Sequence, residues 1–478
     1  MADTDTSPTL DTHGVSRWAI LGTILVMTFM CCLDSSIVNV ALPVMSDQLG
    51  VGMGDIQWVS SIYLVTSCAV MLVFGRLGDT FGKVRTFQVG VVTFTAGSAL
   101  CALSGSLPAL VGARVVQSVG AAAALANNQG IITEVFPASE RGRSLGTIAS
   151  FVALGTLTGP MLGGLITSVA SWEWIFVINI PVGVISFLIG LHTLPRETLP
   201  QPRPALDVAG SALMALGILA VFCSLTLLEK GSSPELLALL AAGVALLAAF
   251  VLVERRVASP LMRLSVFKSL TFDINLLTLL TMYVAFGAFN LIMPFFLQDA
   301  RGMAVGAAGA LMTTYPLVNF VVGPLSGAIS DRVGCERPTM AGMVVFMLGL
   351  GLVGTLGLDT PVPVIVACLA VMSLGSSSFQ PPNNSLIMGS APADSLGFVG
   401  SLSSLTRNLG MSIGITAGSA LLYGQMSVAY GSPVTSYVEG RPDVFLYGFR
   451  WVFAALLAIV AVGLALTVVR YVRSRKGC

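Results

Sequence analysis

Long apolar runs separated by short polar segments dominate this sequence. Each run has about 20 residues or more, which is the length that a helix needs to cross the hydrocarbon core of a bilayer. The pattern therefore predicts an all-α polytopic membrane protein with fourteen transmembrane helices. The runs cover residues 18–43, 57–77, 86–104, 107–134, 144–169, 174–194, 206–228, 235–253, 271–297, 304–329, 339–357, 361–388, 396–424 and 446–469.

Composition supports a membrane protein. Of the 478 residues, 55% are hydrophobic and 10% are charged, whereas a soluble domain has about 25% charged residues. A net charge of +1 gives no reason to expect nucleic-acid binding. With two histidines and no C-x-x-C pair among eight cysteines, we expect no metal and no cofactor. The strings G-x-S-x-G (410–414) and G-x-G-x-x-G (349–354) lie inside apolar runs, so we expect helix packing there and no enzyme activity.

Basic residues indicate the orientation. If the amino terminus is cytoplasmic, 18 lysines and arginines lie in inner segments and 4 in outer segments. This bias predicts that both termini are cytoplasmic, because basic loops stay on that side. No cleavable signal peptide is recognisable, and we expect the plasma membrane of a prokaryote.

An internal repeat divides the chain. The loop GRLGDTFGKVR (75–85) matches GAISDRVGCER (327–337) at a constant offset of 252 residues, and each follows the second helix of a half. The repeat predicts two six-helix bundles, 18–200 and 261–470, with two inserted helices in 201–260 and tails at 1–17 and 471–478. The identities pair Gly75, Asp79, Gly82 and Arg85 with Gly327, Asp331, Gly334 and Arg337.

Several motifs resemble the major facilitator superfamily, and within it the fourteen-helix drug:proton antiporters of the QacA/EmrB type. The loop 75–85 matches G-x-L-x-D-x-x-G-[RK]-x-[RK], and the first-helix stretch 33–43 resembles the first-helix motif of that group. Arg114-x-x-Gln117 resembles R-x-x-Q-G, with Ser118 in place of glycine. The stretch 172–176 resembles W-R-W-I-F, with Glu173 in place of arginine. The resemblance implies a proton-driven exporter of lipophilic small molecules that works by alternating access.

The same resemblance implies a conformational latch in the two repeated loops. A carboxylate at the inner end of the second helix can bind the amino end of another helix and basic groups across the interface between halves. A solvated turn is the alternative. The latch residues are Gly75, Asp79, Gly82, Lys83, Arg85, Asp331, Arg332, Gly334 and Arg337.

A glycine stripe marks the fifth helix. Gly155, Gly159 and Gly163 repeat every four residues and share one face, while Pro160 interrupts the hydrogen-bond ladder. Close helix packing explains such a stripe by itself. The match with the antiporter motif, which includes Gly164, favours instead a smooth surface that moves against the counterpart helix of the other half.

Asp34 is the only charged residue between Trp18 and Pro43. It lies about 14 Å from the outer end of its helix, and Arg114 lies about 10 Å from the outer end of the fourth helix. Opposite charges at similar depth in lipid should pair. The pair is either a static structural bridge or a coupling site, in which Asp34 takes up a proton when Arg114 moves away.

Polar and aromatic residues of both halves are candidates for a substrate cavity at the membrane midplane. The second half has no acidic residue at this depth, because Asp273, Asp299 and Asp394 lie near helix ends. Monovalent, zwitterionic or neutral substrates therefore fit better than dications. The candidates are Tyr63, Asn127, Asn128, Tyr283, Phe286, Asn290, Tyr315, Asn319, Phe379, Gln380, Asn383, Asn384 and Arg407.

Two other functions stay open at this point. One is a transporter of the same fold that moves one specific metabolite, and the antiporter-type fifth helix argues against it. A non-transporting membrane sensor predicts a sizeable soluble domain, and the longest non-membrane stretch has about 20 residues, near 425–440. The expected partners are lipophilic small molecules, protons and the lipid bilayer, and the expected state is a monomer.

Overall fold

The computed structural model describes residues 14–195, 207–228, 233–256, 267, 269–392, 395–434 and 437–476. The predicted tails, in part, and the basic residues 196, 203, 230, 263 and 268 lie outside them. In the described ranges the chain forms seventeen α-helices: α1 Arg17–Leu49, α2 Met53–Ile56, α3 Trp58–Phe81, α4 Lys83–Ala102, α5 Leu107–Val135, α6 Ala138–Val169, α7 Trp174–Val177, α8 Asn179–Thr193, α9 Val208–Leu228, α10 Pro234–Glu254, α11 Leu270–Phe295, α12 Val305–Met312, α13 Thr314–Val333, α14 Glu336–Gly354, α15 Val362–Gly389, α16 Leu396–Tyr430 and α17 Pro442–Lys476.

These helices confirm the predicted all-α membrane fold. The short helices α2, α7 and α12 adjoin α3, α8 and α13, so the described helices make fourteen long segments, one for each predicted run. Eleven of them are long and apolar enough to cross a membrane by length and composition alone. Helices satisfy every backbone hydrogen bond internally, which is why apolar runs of this length fold this way in lipid.

The two halves meet at two equivalent crossings. Helix α16 of the second half packs on α3 and α5, and α13 packs on α6. Glycines make both contacts: a Cβ on Gly397 would lie 2.6 Å from the carbonyl oxygen of Gly75, and one on Gly327 would lie 2.0 Å from that of Gly142. The helix backbones therefore touch directly, which only glycine permits at these positions.

Contacts between the halves concentrate at one end of the bundle. Hydrogen bonds between described residues of the two halves begin at the end that holds the repeated loops. The two farthest from that end join the Ser150 hydroxyl to the Phe320 carbonyl (2.8 Å) and the Asn408 amide to the Cys68 sulfur (3.3 Å). Both of these bonds lie near the middle of their helices. The bundle is thus closed at the loop end, and from the lack of hydrogen bonds between described residues of the two halves beyond this point we infer a cleft, which we name the central cleft.

The inserted helices α9 and α10 form a pair beside the first crossing. They pack on each other at Gly217 and Gly243, and α9 also contacts α3 and α16. An apolar pocket of about 190 Å³ lies between this pair and the crossing. The insertion between the halves is therefore peripheral and leaves the central cleft to the two bundles.

Candidate functional site

Asp34 of α1 and Arg114 of α5 form an ion pair inside the first half. Arg114 Nη1 lies 2.6 Å from Asp34 Oδ2, and both side chains are completely buried. The predicted pairing of the two charges is therefore present. Its role in proton coupling stays a prediction, because a pair of this kind also fits a structural role.

Neutral side chains complete the coordination of Asp34. Its Oδ1 accepts hydrogen bonds from Gln117 Nε2 (2.8 Å) and Asn179 Nδ2 (2.7 Å), and Gln117 Nε2 also donates to Ser98 Oγ (2.8 Å). Both carboxylate oxygens of Asp34 thus accept hydrogen bonds from neighbouring side chains. Sequence reasoning missed Ser98 and Asn179, although each is a polar residue in an apolar run, as Asp34 is.

The guanidinium of Arg114 is fixed on several sides. Its Nε donates to the Val59 carbonyl (3.0 Å), and the ring of Tyr63 covers it at 4.2 Å, a cation–π distance. Ser118, which replaces the motif glycine, donates to the backbone carbonyl of Tyr63 (2.5 Å). Tyr63 is only 6% exposed. The sequence suggested that Tyr63 lines the cleft. In this state it is instead buried against Arg114.

The first repeated loop binds the amino end of α16. Asp79 Oδ1 and Oδ2 accept hydrogen bonds from the backbone N–H groups of Gly397 and Phe398, both at 2.8 Å. Lys83 Nζ lies 3.0 Å from Asp79 and 2.7 Å from Glu134. The carboxylate thus caps a helix of the other half, where the helix dipole favours a negative charge. We name Asp79, Lys83 and the amino end of α16 the first latch.

The second repeated loop contacts α6 in its second turn, four and five residues after its first residue, Ala138. Asp331 accepts hydrogen bonds from the backbone N–H groups of Gly142 (2.8 Å) and Arg143 (2.9 Å), and we name this the second latch. Cys335 stands where the first loop has Lys83. Burial, and then the nearby Asp331, raise the pKa of the Cys335 thiol. A thiol carries no positive charge in either protonation state, so Cys335 cannot replace the Lys83 ammonium. The second latch is therefore electrostatically weaker.

The remaining loop residues have simpler positions. Gly82 and Gly334 both have positive φ (105° and 85°), so each loop turns at a residue that needs no Cβ. Arg85 is in the first turn of α4, and Arg332 is exposed at the end of α13. Arg337 Nε lies 3.5 Å from the Tyr471 hydroxyl and takes no part in the second latch.

The glycine stripe of α6 packs within its own half. A Cβ on Gly155 would lie 2.7 Å from the Phe29 carbonyl oxygen, and one on Gly159 would lie 1.8 Å from Ser36 Oγ, both on α1. Gly163 also faces α1, Gly164 has open space and Pro160 is exposed. The expectation that this stripe contacts the other half is wrong for this state. The crossing with α13 uses Gly142 and Gly146, nearer the loop end.

Aromatic and polar residues of the second half lie half-buried where the halves separate. Phe286 and Tyr315 stack with ring centroids 4.5 Å apart, and Tyr283 meets Phe286 edge-on at 6.1 Å. Gln380 Nε2 donates to the Tyr283 hydroxyl (2.7 Å), and Arg407 lies beside that hydroxyl. Half-buried positions on α11 and α13 are also taken by Asn290 and Asn319.

Other predicted cavity residues are buried between helices. Asn127 donates to backbone carbonyls of its own half, and Asn128 donates to Thr28 Oγ1 at 2.7 Å. Asn383 and Phe379 are at most 1% exposed. A residue that lines a cavity has exposed surface. Asn383 and Phe379 have almost none, so in this state they pack between helices and do not face the cleft. Asn384, at 4% exposed, is likewise buried. Among the described residues, no group of three or more His, Cys, Asp or Glu side chains could hold a metal ion.

Comparison with known proteins agrees with the fold and the loop motif. The family model of the Major Facilitator Superfamily matches residues 24–415 and 276–477. The chain belongs to this superfamily of transporters, and it is a transporter and not an enzyme. The two overlapping matches are expected for a duplicated fold.

Three similar proteins illustrate the range of the relatives. "Riboflavin transporter RibZ" of Clostridioides difficile (strain 630) is 32% identical over 95% of this chain and 97% of its own. "Tetracenomycin C resistance and export protein" of Streptomyces glaucescens is 30% identical over 83% of this chain and 74% of its own. A bacterial homologue of the iron transporter ferroportin, solved in an outward-facing state, shares the fold with a TM-score of 0.64, at 14% identity over 94% of this chain and 98% of that chain.

Proposed function

We propose that this protein is a proton-coupled antiporter of the fourteen-helix QacA/EmrB type, which exports lipophilic small molecules. The observation that carries the proposal is a carboxylate, Asp34, that is completely buried and bound by Arg114, Gln117 and Asn179 beside the cleft. The similarity to a tetracenomycin C export protein supports export as the direction of transport. With the proposed orientation the latches are cytoplasmic, and the structure represents an outward-facing state in a bacterial plasma membrane.

Helix α1 provides the physical link between proton and substrate. Cys32 of this helix lies near Arg407 at the cleft, Asp34 points into the polar cluster, and Ser36 donates to the Gly155 carbonyl of α6 at 3.2 Å. A proton on Asp34 converts one accepting oxygen into a donor and weakens the attraction to Arg114. The donors that hold α1 must then rearrange, and the contact between α1 and α6 transmits the change to the crossing with α13.

Alternating access then follows from the two latches. Asp79 and Asp331 hold the cytoplasmic ends of the halves together while the cleft opens outward. Proton binding at Asp34 and substrate binding in the cleft would each favour a different conformation, so that the two ligands exchange. Tyr63 covers Arg114 in this state, and we infer that it would have to move for a proton to enter from the cleft.

The test uses purified protein in liposomes with an imposed pH gradient. Riboflavin and pyrenesulfonate serve as fluorescent probes, and a pH dye inside the liposomes reports proton movement. We expect probe-dependent proton flux with the natural protein and with Asp47→Asn, an exposed carboxylate on the same helix. Asp34→Asn should abolish uphill transport and keep downhill exchange. Uphill transport that persists in Asp34→Asn would refute the coupling role.

A transporter of one specific metabolite is the second candidate. It is favoured by the similarity to the riboflavin transporter, which extends over nearly the whole of both chains. The same liposomes separate the two functions: a specific transporter moves riboflavin alone, whereas a multidrug exporter moves chemically unrelated probes.

A further inference from the structure

Arg407 is a cation in the central cleft, and it has no acidic partner among the described residues. Its guanidinium donates to Ser404 Oγ at 2.8 Å, and no carboxylate of the described chain lies within 4.0 Å of it. It is ten residues beyond Gly397 along α16, about 15 Å from the closed end, which is near the middle of a bilayer about 30 Å thick. A charge at this depth is costly and is normally paired, as Arg114 is with Asp34.

The position of Arg407 points to a ligand as the missing partner. It lies beside the Tyr283 hydroxyl and close enough to Cys32 of α1 to interact with it electrostatically. The guanidinium therefore faces the space between the halves and not the lipid. A guanidinium can bind an anionic oxygen group through two parallel hydrogen bonds.

A stacked pair of aromatic rings, which we name the Phe286–Tyr315 surface, adjoins this cation. The rings of Phe286 and Tyr315 stack at an interplanar angle of 29°, and Tyr283 lies between them and Arg407. The Tyr315 hydroxyl donates to Ser376 Oγ (2.6 Å), and the Tyr283 hydroxyl accepts from Gln380 (2.7 Å). These bonds fix the rings before any ligand arrives, which reduces the entropic cost of stacking on them.

We propose that the central cleft selects organic anions that contain a planar aromatic ring system. Arg407 binds the anionic group, and the Phe286–Tyr315 surface binds the ring. The proposal rests on the transport function proposed above and narrows its substrate class. The sequence suggested monovalent, zwitterionic or neutral substrates. The proposal differs from that expectation, because a cation in the cleft repels cationic compounds and gives neutral compounds no charged partner.

The test measures equilibrium binding of three probes that share one ring system and differ in charge: pyrenesulfonate, pyrenemethanol and pyrenemethylammonium. Full-length protein in nanodiscs is dialysed against each probe, and binding to empty nanodiscs is subtracted. We expect pyrenesulfonate to bind at least tenfold more tightly than the other two. Arg407→Gln should weaken pyrenesulfonate binding by about 10- to 100-fold and change pyrenemethanol binding less than twofold. Phe286→Leu should weaken all three probes alike.

Each outcome decides the proposal. Retained binding of pyrenemethanol shows that Arg407→Gln is folded. If that variant does not fold, Arg407→Lys replaces it in the test and must keep the preference for pyrenesulfonate. Equal affinities for the three probes, no binding of any probe, or an equal loss of all three in Arg407→Gln would overturn it. Binding in nanodiscs needs no proton gradient, so this test is independent of the coupling. If the charge preference is found and proton-coupled transport in liposomes is not, only the proposed coupling is refuted.

Discussion

Replacing Asp79 with asparagine should open the closed end of the protein. The carboxylate accepts hydrogen bonds from two backbone N–H groups at the start of α16 and an ion pair from Lys83. Asparagine offers one accepting oxygen, so one N–H loses its partner and Lys83 loses one of its two carboxylates. A hydrogen bond to a charged group contributes about 1.5–3 kcal/mol, and a charge at a helix amino end about 0.3–1 kcal/mol. The closed state should therefore lose about 2–4 kcal/mol.

Hydrogen–deuterium exchange measures this loss directly. The N–H groups of Gly397 and Phe398 lie in the first turn of α16, where no carbonyl of the same helix can accept from them. They exchange when the latch opens, so a loss of about 2–4 kcal/mol should speed their exchange by about 30- to 800-fold. Asp331→Asn is the matched control. It should speed exchange at Gly142 and Arg143 by less, because these N–H groups lie in the second turn of α6, where carbonyls of the same helix can also accept from them, and because the second latch lacks a lysine.

The result that would contradict this reasoning is specific. If Asp79→Asn left the exchange of 396–402 unchanged, the carboxylate would not hold the two halves together in solution. If it accelerated exchange equally at both crossings, the two latches would form one cooperative unit and not two separate contacts. Transport should fall in Asp79→Asn while probe binding stays measurable, since Asp79 lies far from the cleft along α3.

Three further changes have expected outcomes. Arg114→Ala should destabilise the protein by about 3–5 kcal/mol, because it leaves Asp34 buried and unpaired. Adding Asp34→Asn should restore part of the melting temperature. A double variant less stable than Arg114→Ala would contradict this reasoning. Gly155→Val should lower the yield of folded protein, since its side chain would meet α1, whereas Gly164→Ala enters open space and should be neutral in the same thermal-stability assay. A reporter fused to the carboxyl terminus should be cytoplasmic in cells, and a periplasmic or external signal would refute the predicted orientation.

The sequence by itself determined the number of helices, the repeat and the buried ion pair. In lipid an apolar run can satisfy its backbone only as a helix, so the length of each run specifies one element. A charge such as Asp34 stands out in such a run, and matched depth alone identified Arg114 as its partner. The repeated loops were equally clear, and the structure shows that Asp79 caps α16 and that Asp331 binds the second turn of α6, in each case a helix of the opposite half.

Only the tertiary structure decided which face of each helix points inward. Lipid and protein interior are both apolar, so a membrane helix lacks the polar face that orients a helix in water. This is why the sequence could not tell that Tyr63 covers Arg114, that Asn127 packs between helices or that Gly155 contacts α1. The cluster of Ser98, Gln117 and Asn179 around Asp34 comes from three helices, and only their packing brings those side chains together.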